Sequence, residues 1–379
     1  MTSAMHLNWR ATLSNKPHIL IAAISGRALA QAAKDSGYIP LVADMFGDDD
    51  TRALAGAASV VPGSLDRGFD RAALAKSLKA LAKGRDPVGL VYGAGFESDP
   101  SLLAGFDVIG NGPAVVERLK KPMGFAADLK RLGISHPAVS DIPPQLAKGW
   151  LTKTAGASGG SHIQQAVLPA ADGRYYQEFI DGMPISALFA ADGAKAQILG
   201  FSRQWCAPTQ AIPFRYGGAA QPSGLPEARL APLADAVQKL AREYALKGFN
   251  SADFIVAENR FWLLEVNPRP GATLDVFRAA IPDLFSRHVA ACGGKFLDAP
   301  APAKRSTAQA IVYATQAIGK IPEIVGPPWA MDRQPAGSAV AKDSPLCSVM
   351  ADGETAIDAI AGTTGRAHII KTQLERKAQ

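Results

Sequence analysis

Two apolar runs, 251–257 and 261–266, are separated only by Glu258-Asn259-Arg260. Runs of that length with so short a connection fold most economically as an antiparallel hairpin. The second run ends in Glu265-Val266-Asn267-Pro268-Arg269. Strand alternation sends Glu265 and Asn267 to one face and Val266 to the other, and Asp253 lies on the partner strand. Pro268 stops the strand, because it has no N–H for the ladder. Asp, Glu and Asn supply hard oxygen ligands, which suit Mg²⁺ bridging nucleotide phosphates. The Arg269 guanidinium then stands where it can clamp a phosphate or acyl phosphate. The bland alternative is a hairpin with a solvated polar face. Asp253 alone would suit it, but the combined set favours a metal–nucleotide site.

The chain before this hairpin alternates strand and helix. The apolar run 18–24 ends at Ser25-Gly26-Arg27, a helical pattern covers 28–36, and a second strand covers 38–44. A helix over 70–83 and a strand over 88–92 continue a parallel α/β unit. Gly93-Ala94-Gly95-Phe96-Glu97 lies at the C-terminal end of that strand, where open α/β sheets bind ligands. A short strand over 106–110 leads to the turn Gly110-Asn111-Gly112-Pro113, which marks a boundary after 112. From there the reading predicts a helix over 114–132, strands over 150–154, 162–166, 175–180, 185–190 and 196–202, and a helix over 231–245. An Ala-Pro linker at 298–304 precedes β-rich text at 308–317 and 338–350, then a helix over 354–361. Three units result: 1–112, 113–300 and 301–379.

Composition removes several classes. With 379 residues the chain has ample length for a large core. The net charge of +6 is spread along the sequence rather than clustered, which argues against a nucleic-acid surface. Cys206, Cys292 and Cys347 fit neither a disulfide framework nor zinc spacing, so a reducing compartment is expected. Residues 1–15 show no signal-peptide pattern, and no run approaches the roughly 18–20 apolar residues of a membrane helix. The expectation is a cytoplasmic protein with no membrane and no nucleic-acid partner; a homodimer is the default assembly.

Two further segments carry chemistry. Lys153-Thr154-Ala155-Gly156-Ala157-Ser158-Gly159-Gly160-Ser161 is a strand end followed by a small-residue loop. Its glycines let backbone N–H groups approach phosphate oxygens, and Lys153 adds a positive charge. It is not a P-loop, since Gly-Lys-Ser/Thr is missing and a strand follows. Tyr176-Gln177-Glu178-Phe179-Ile180-Asp181-Gly182 is an apolar strand ending in a break that can offer backbone groups to an adenine edge.

In this order the segments resemble the ATP-grasp superfamily, from about 113 to 297. The text Ser25-Gly26-Arg27-Ala28-Leu29-Ala30 and Asp44-Met45-Phe46-Gly47-Asp48 looks like its branch of predicted ATP-dependent carboligases. The tail segments Pro335-Ala336-Gly337-Ser338 and Ser344-Pro345-Leu346-Cys347 resemble that branch too. The resemblance implies a mixed α/β and α+β chain: an ATP-grasp fold with an N-terminal Rossmann-like pre-grasp domain and a small β-rich C-terminal domain. It implies that Lys121, or its neighbour Lys120, is the first phosphate-contacting lysine and Lys153 the second. Gly156, Ser158, Gly159 and Gly160 belong to the loop that closes over the phosphates. Gln177, Glu178 and Ile180 fill the adenine hinge. Asp253, Glu265 and Asn267 are the implied ligands of Mg²⁺, with Mn²⁺ as a substitute, and Arg269 and Lys153 serve the transferred phosphoryl group. Many members carry a ribose-binding glutamate just past the hinge; here the text reads Gly182-Met183-Pro184-Ile185-Ser186, and Asp181 is the substitute.

The implied activity is ATP-dependent ligation through an acyl phosphate, joining a small carboxylate to an amine or thiol in metabolite or cofactor assembly. Substrate contacts are expected from Arg27, Glu97, Arg203, Gln204, Arg215, Tyr216, Gly217 and Gly218. Three alternatives stand beside it. The first is a carboxylase using carboxyphosphate, and the second a non-catalytic nucleotide-binding module. The third is a dinucleotide-dependent oxidoreductase, disfavoured because no Gly-x-Gly-x-x-Gly follows the first strand. His162 is the one histidine singled out for acid–base work.

Overall fold

The computed structural model describes residues 16–378 apart from 66, 158, 172, 259 and 323–325. The N-terminal unit is built on a parallel sheet in the order Ala57–Val60, Ile39–Asp44, His18–Ala23, Leu90–Tyr92. Its strands His18–Ala23, Ile39–Asp44 and Leu90–Tyr92 are short, mostly apolar runs because both faces are covered, whereas the edge strand Ala57–Val60 alternates with solvent. Ile19 and Ile21 pack with Ala30 and Ala33 of the helix Arg27–Asp35. On the other face Leu20 and Leu41 meet Leu74 and Leu78 of the helix Arg71–Ala82. Asp70 caps that helix by accepting the Ala73 N–H. The strand expected over 106–110 is reduced to a single bridge between Leu90 and Val108.

The helix expected over 114–132 is two helices, Pro113–Leu119 and Pro122–Leu132. Pro122 has no N–H, and its ring pushes Lys121 out of the helical region to φ −90° and ψ 101°. The chain therefore bends at Lys120-Lys121. An antiparallel sheet follows in the order Val139–Ser140, Arg174–Glu178, Trp150–Thr154, Gln164–Gln165. Its last strand is far shorter than the expected 162–166.

The large sheet runs Arg260–Asn267, Lys247–Ala257, Met183–Asp192, Ala196–Cys206, Tyr216–Gln221, Ser306–Tyr313, Pro345–Gly353, Ala330–Met331. The C-terminal strands thus continue the central sheet, with Gly218 opposite Ala310. On one face Ile185, Ala187 and Phe189 pack on Leu233, Val237 and Leu240 of the helix Glu227–Glu243. On the other, Leu188 and Ala190 pack toward Phe285 and Ala291 of the helix Leu284–Cys292. The strand Tyr216–Gln221 had no counterpart in the sequence reading, since two glycines hide its pattern. Gly218 is required there: a Cβ would lie 2.2 Å from the Gln309 carbonyl oxygen and 2.4 Å from the Trp205 ring. The closing helix Ala356–Ala378 is longer than the expected 354–361.

Candidate active site

The hairpin forms as its pattern requires. Asp253 stands opposite Glu265 and Ser251 opposite Asn267, so the carboxylates and the amide share one face. Asn267 Nδ2 donates to Asp253 Oδ2 at 3.1 Å and to Glu265 Oε1 at 3.4 Å. Lys120 reaches this face from the helix break. Its Nζ donates to Glu265 Oε2 at 3.2 Å and to Asn267 Oδ1 at 3.0 Å. Lys121 turns the other way and pairs with Glu117 at 2.7 Å on the exposed surface. Of the two adjacent lysines, the bend before Pro122 delivers Lys120 to the hairpin and carries Lys121 off it. No spacing rule in the sequence separates them.

The charges on this face are unbalanced in a telling way. Burial draws the Glu265 carboxyl upward, but Lys120, Lys153 and His162 outweigh it and hold the group well below the usual carboxylate range. Asp253 goes the other way: burial, then the charge of Glu265, raise it. Its Oδ1 is buried with no hydrogen-bond partner. An orphaned buried carboxylate oxygen beside a second carboxylate is costly unless a cation joins the pair. The donor set, two carboxylates and an amide oxygen, fits Mg²⁺ that keeps phosphate oxygens as its other ligands. Among the described residues no group of three or more His, Cys, Asp or Glu is placed to hold a metal.

Lys153 arrives from the smaller sheet. Its Nζ donates to Gln177 Oε1 at 3.0 Å, both side chains being buried. They share a face because Tyr175 pairs with Lys153 and Gln177 with Leu151. Burial, reinforced by Lys120, lowers the Lys153 pKa, against the pull of Glu265 and Asp253. The glycine loop after it is pressed between two backbones. At Gly156, φ +73°, a Cβ would fall 2.5 Å from the Glu97 carbonyl oxygen; at Gly160, φ +75°, 2.0 Å from that of Phe214. Gly159 accepts the Tyr216 N–H at 3.0 Å. Ser158 lies outside the described residues.

At the hinge, the Glu178 and Phe179 N–H groups donate to the Ala138 and Gly149 carbonyls at 2.8 Å each. Glu178 Oε2 accepts from Ala138 N at 3.2 Å. Ile180 and exposed Asp181 form the break before the strand Met183–Asp192.

Arg269 is buried and donates through Nε to Glu97 Oε1 at 2.6 Å. The other Glu97 oxygen accepts the N–H groups of Gly95 and Phe96 at 2.8 and 3.1 Å. Burial opposes its charge, but Arg269, Lys120 and the Gly95 N–H lower its pKa overall. The loop Gly93 to Glu97 therefore meets the hairpin end directly. Tyr92 OH and Asn111 Nδ2 hold the Pro268 carbonyl at 3.1 and 2.9 Å, fixing the backbone from which Arg269 projects.

The remaining sequence candidates are distributed unevenly. Arg27 is buried and committed to carboxylates, bidentate to Asp275 and donating to Asp332 at 2.6 Å. It fastens the N-terminal unit to the central and C-terminal ones instead of lining the hairpin face. Arg203 Nη2 lies 3.0 Å from Met183 Sδ. Arg215 stacks on the Tyr313 ring and reaches the Asp343 carbonyl at 3.0 Å. Gly217 makes room for Trp205, 2.8 Å from a Cβ placed there. Tyr216 is different: its hydroxyl is buried without a hydrogen-bond partner. Burial and the charges of Asp253 and Asp275 raise its pKa, so it belongs to the hairpin's surroundings. Ser186, buried directly opposite Asp253, was not anticipated. A lone serine in an apolar strand gives no signal.

Comparison with known proteins bears on the domain and the fold. Residues 123–273 match the ATP-grasp domain family. A biotin carboxylase from Campylobacter jejuni, solved as a β-γ-ATP complex, has 16% identity and a TM-score of 0.70, covering 91% of this chain and 89% of that one. A phosphoribosylamine–glycine ligase from Thermotoga maritima has 18% identity and a TM-score of 0.68, covering 90% and 94%. The biotin carboxylase domain of a Hydrogenobacter thermophilus 2-oxoglutarate carboxylase, solved with MgADP and bicarbonate, has 16% identity and a TM-score of 0.66, covering 89% and 86%. No curated protein sequence matches significantly. The chain carries an ATP-grasp domain and has the ATP-grasp fold.

Proposed function

We propose that this ATP-grasp chain is an ATP-dependent ligase that activates a small carboxylate as an acyl phosphate and passes the acyl group to an amine. The observation that carries it is the convergence of Asp253, Glu265, Asn267, Lys120 and Lys153, with Arg269 held by Glu97 at the hairpin's end. Phosphoryl transfer needs positioning and charge neutralisation more than covalent help from the protein. Bound Mg²⁺ would supply neutralisation at the phosphate oxygens, held by Asp253, Glu265 and Asn267. Lys120 and Lys153 bind phosphate oxygens, and the N–H groups around Gly156, Gly159 and Gly160 cover them. Gln177 orients Lys153; the break at Ile180 and Asp181 takes the base and ribose. The substrate carboxylate oxygen attacks the γ-phosphorus, ADP leaves, and Arg269 steadies the transferred group. An amine then forms the new bond as inorganic phosphate departs.

The carboxylase reading shares the first half of this scheme, with bicarbonate as the acid, and the biotin carboxylase likenesses keep it in view. One assay separates them. ADP release is measured with panels of carboxylic acids, with hydroxylamine to trap acyl phosphates as hydroxamates, and with bicarbonate alone. Hydroxamate that depends on an organic acid supports the ligase. ADP release that depends only on bicarbonate favours the carboxylase. Glu265→Gln should remove ATP turnover while leaving the fold intact; full turnover in that variant would sink the metal assignment.

A further inference from the structure

The Lys120 ammonium sits on the hairpin's own oxygens. It lies 3.2 Å from Glu265 Oε2 and 3.0 Å from Asn267 Oδ1, two of the atoms assigned above to the metal. Its side chain is 9% exposed. It is also the nearest compensation for two adjacent carboxylates, lowering both Glu265 and Asp253. Resting on that metal–nucleotide reading, we propose that Lys120 is a built-in occupant of the metal position. A divalent ion must displace it, so metal enters with nucleotide and not alone.

The physical argument is a competition for the same lone pairs. An ammonium and a divalent ion cannot both take Glu265 Oε2 and Asn267 Oδ1 at contact distance, and charge repulsion adds to the steric conflict. The lysine stem is flexible, and Lys120 stands at a helix end rather than inside a helix, so the head group can swing. It leaves only if another anion receives it. Nucleotide phosphates arriving beside Lys153 provide that anion. By linkage, nucleotide then strengthens metal binding and metal strengthens nucleotide binding by the same factor. Without the lysine the free carboxylates accept the metal directly.

The test measures Mn²⁺ binding by electron paramagnetic resonance for wild type, Lys120→Met, Lys120→Arg and Glu265→Gln, each with and without ADP. Wild type should bind Mn²⁺ weakly alone and at least about tenfold more tightly with ADP. Lys120→Met should bind Mn²⁺ alone about tenfold more tightly than wild type and lose most of the gain from ADP. Lys120→Arg, which keeps the charge, should stay weak for Mn²⁺ alone and serves if the methionine variant fails to fold. Equal Mn²⁺ affinity in wild type and Lys120→Met, with Glu265→Gln still abolishing binding, overturns the displacement proposal and leaves the site assignment standing. A methionine-like gain in Lys120→Arg also overturns it. Mn²⁺ binding by none of the proteins, even with ADP, removes the metal reading and the proposal together.

Discussion

Glu97 and Arg269 are 172 residues apart in sequence and share a hydrogen bond of 2.6 Å, both buried. The N-terminal unit therefore supplies the counter-charge for the arginine at the end of the hairpin 247–267. Expected from sequence as a substrate contact, Glu97 has its oxygens occupied by Arg269, Gly95 N and Phe96 N. Those contacts place it to aim the guanidinium. Glu97→Gln keeps the shape and loses the charge, so it should lower kcat for ADP release by about 10–100-fold and leave the ADP dissociation constant within about threefold. A rise in KM with unchanged kcat would restore Glu97 as a substrate contact.

The glycine loop gives a matched pair of variants. Gly159 and Gly160 both have positive φ, near +74°, but only Gly160 faces a backbone: a Cβ at that position would stand 2.0 Å from the Phe214 carbonyl oxygen. Gly159→Ala should cost only the left-handed conformation, about 1 kcal/mol, and weaken MgADP binding about fivefold. Gly160→Ala cannot keep the loop where it is, and the loss should exceed tenfold. Isothermal titration with MgADP reads both; equal losses would mean the loop is not held against Phe214 when nucleotide binds.

How much of this was legible in sequence depends on the range of the interaction. The hairpin was readable because strand alternation is local: Glu265 and Asn267 share a face whatever lies beyond them. The order of the strands 183–192, 196–206 and 247–257 was not, because it is decided by packing across the sheet. Lys120 and Lys121 are chemically identical neighbours, and only the bend at Pro122 sorts them. Arg27 looked like a substrate-binding residue beside a strand end. Its partners Asp275 and Asp332 are 248 and 305 residues away, beyond the reach of any sequence pattern.

That ion cluster predicts a stability effect. Arg27 and Asp275 are 3% and 2% exposed, and Asp275 also accepts from Gln309 Nε2 at 3.2 Å. Removing one partner of a buried pair strands the other charge, at a cost of about 3–5 kcal/mol. Arg27→Met should therefore lower the unfolding free energy in urea by that amount, whereas Lys121→Ala, which breaks only an exposed pair, should shift it by less than about 0.5 kcal/mol. Similar losses for the two variants would mean that the Arg27 cluster does not fasten the units.

A neighbouring carboxyl sets a pH dependence. Asp48 is 1% exposed, and burial together with the charge of Asp332 pushes its pKa up to about 6, against hydrogen bonds from Thr51. Its unfolded value is near 4. Between those values the folded protein holds a proton that the unfolded chain has released. The contribution is fully present below about pH 4 and is lost as pH rises through about 6. The two-unit difference corresponds to about 3 kcal/mol at most. Asp48→Asn keeps an acceptor for the Thr51 N–H, now 2.7 Å from Oδ1, and never ionises. Relative to wild type, the variant should gain about 1–3 kcal/mol at pH 8 and nothing at pH 4, read as the difference between urea unfolding curves. A difference that stays constant across this range would mean that Asp48 has the same pKa in the folded protein as in the unfolded chain, so that burial and Asp332 do not raise it.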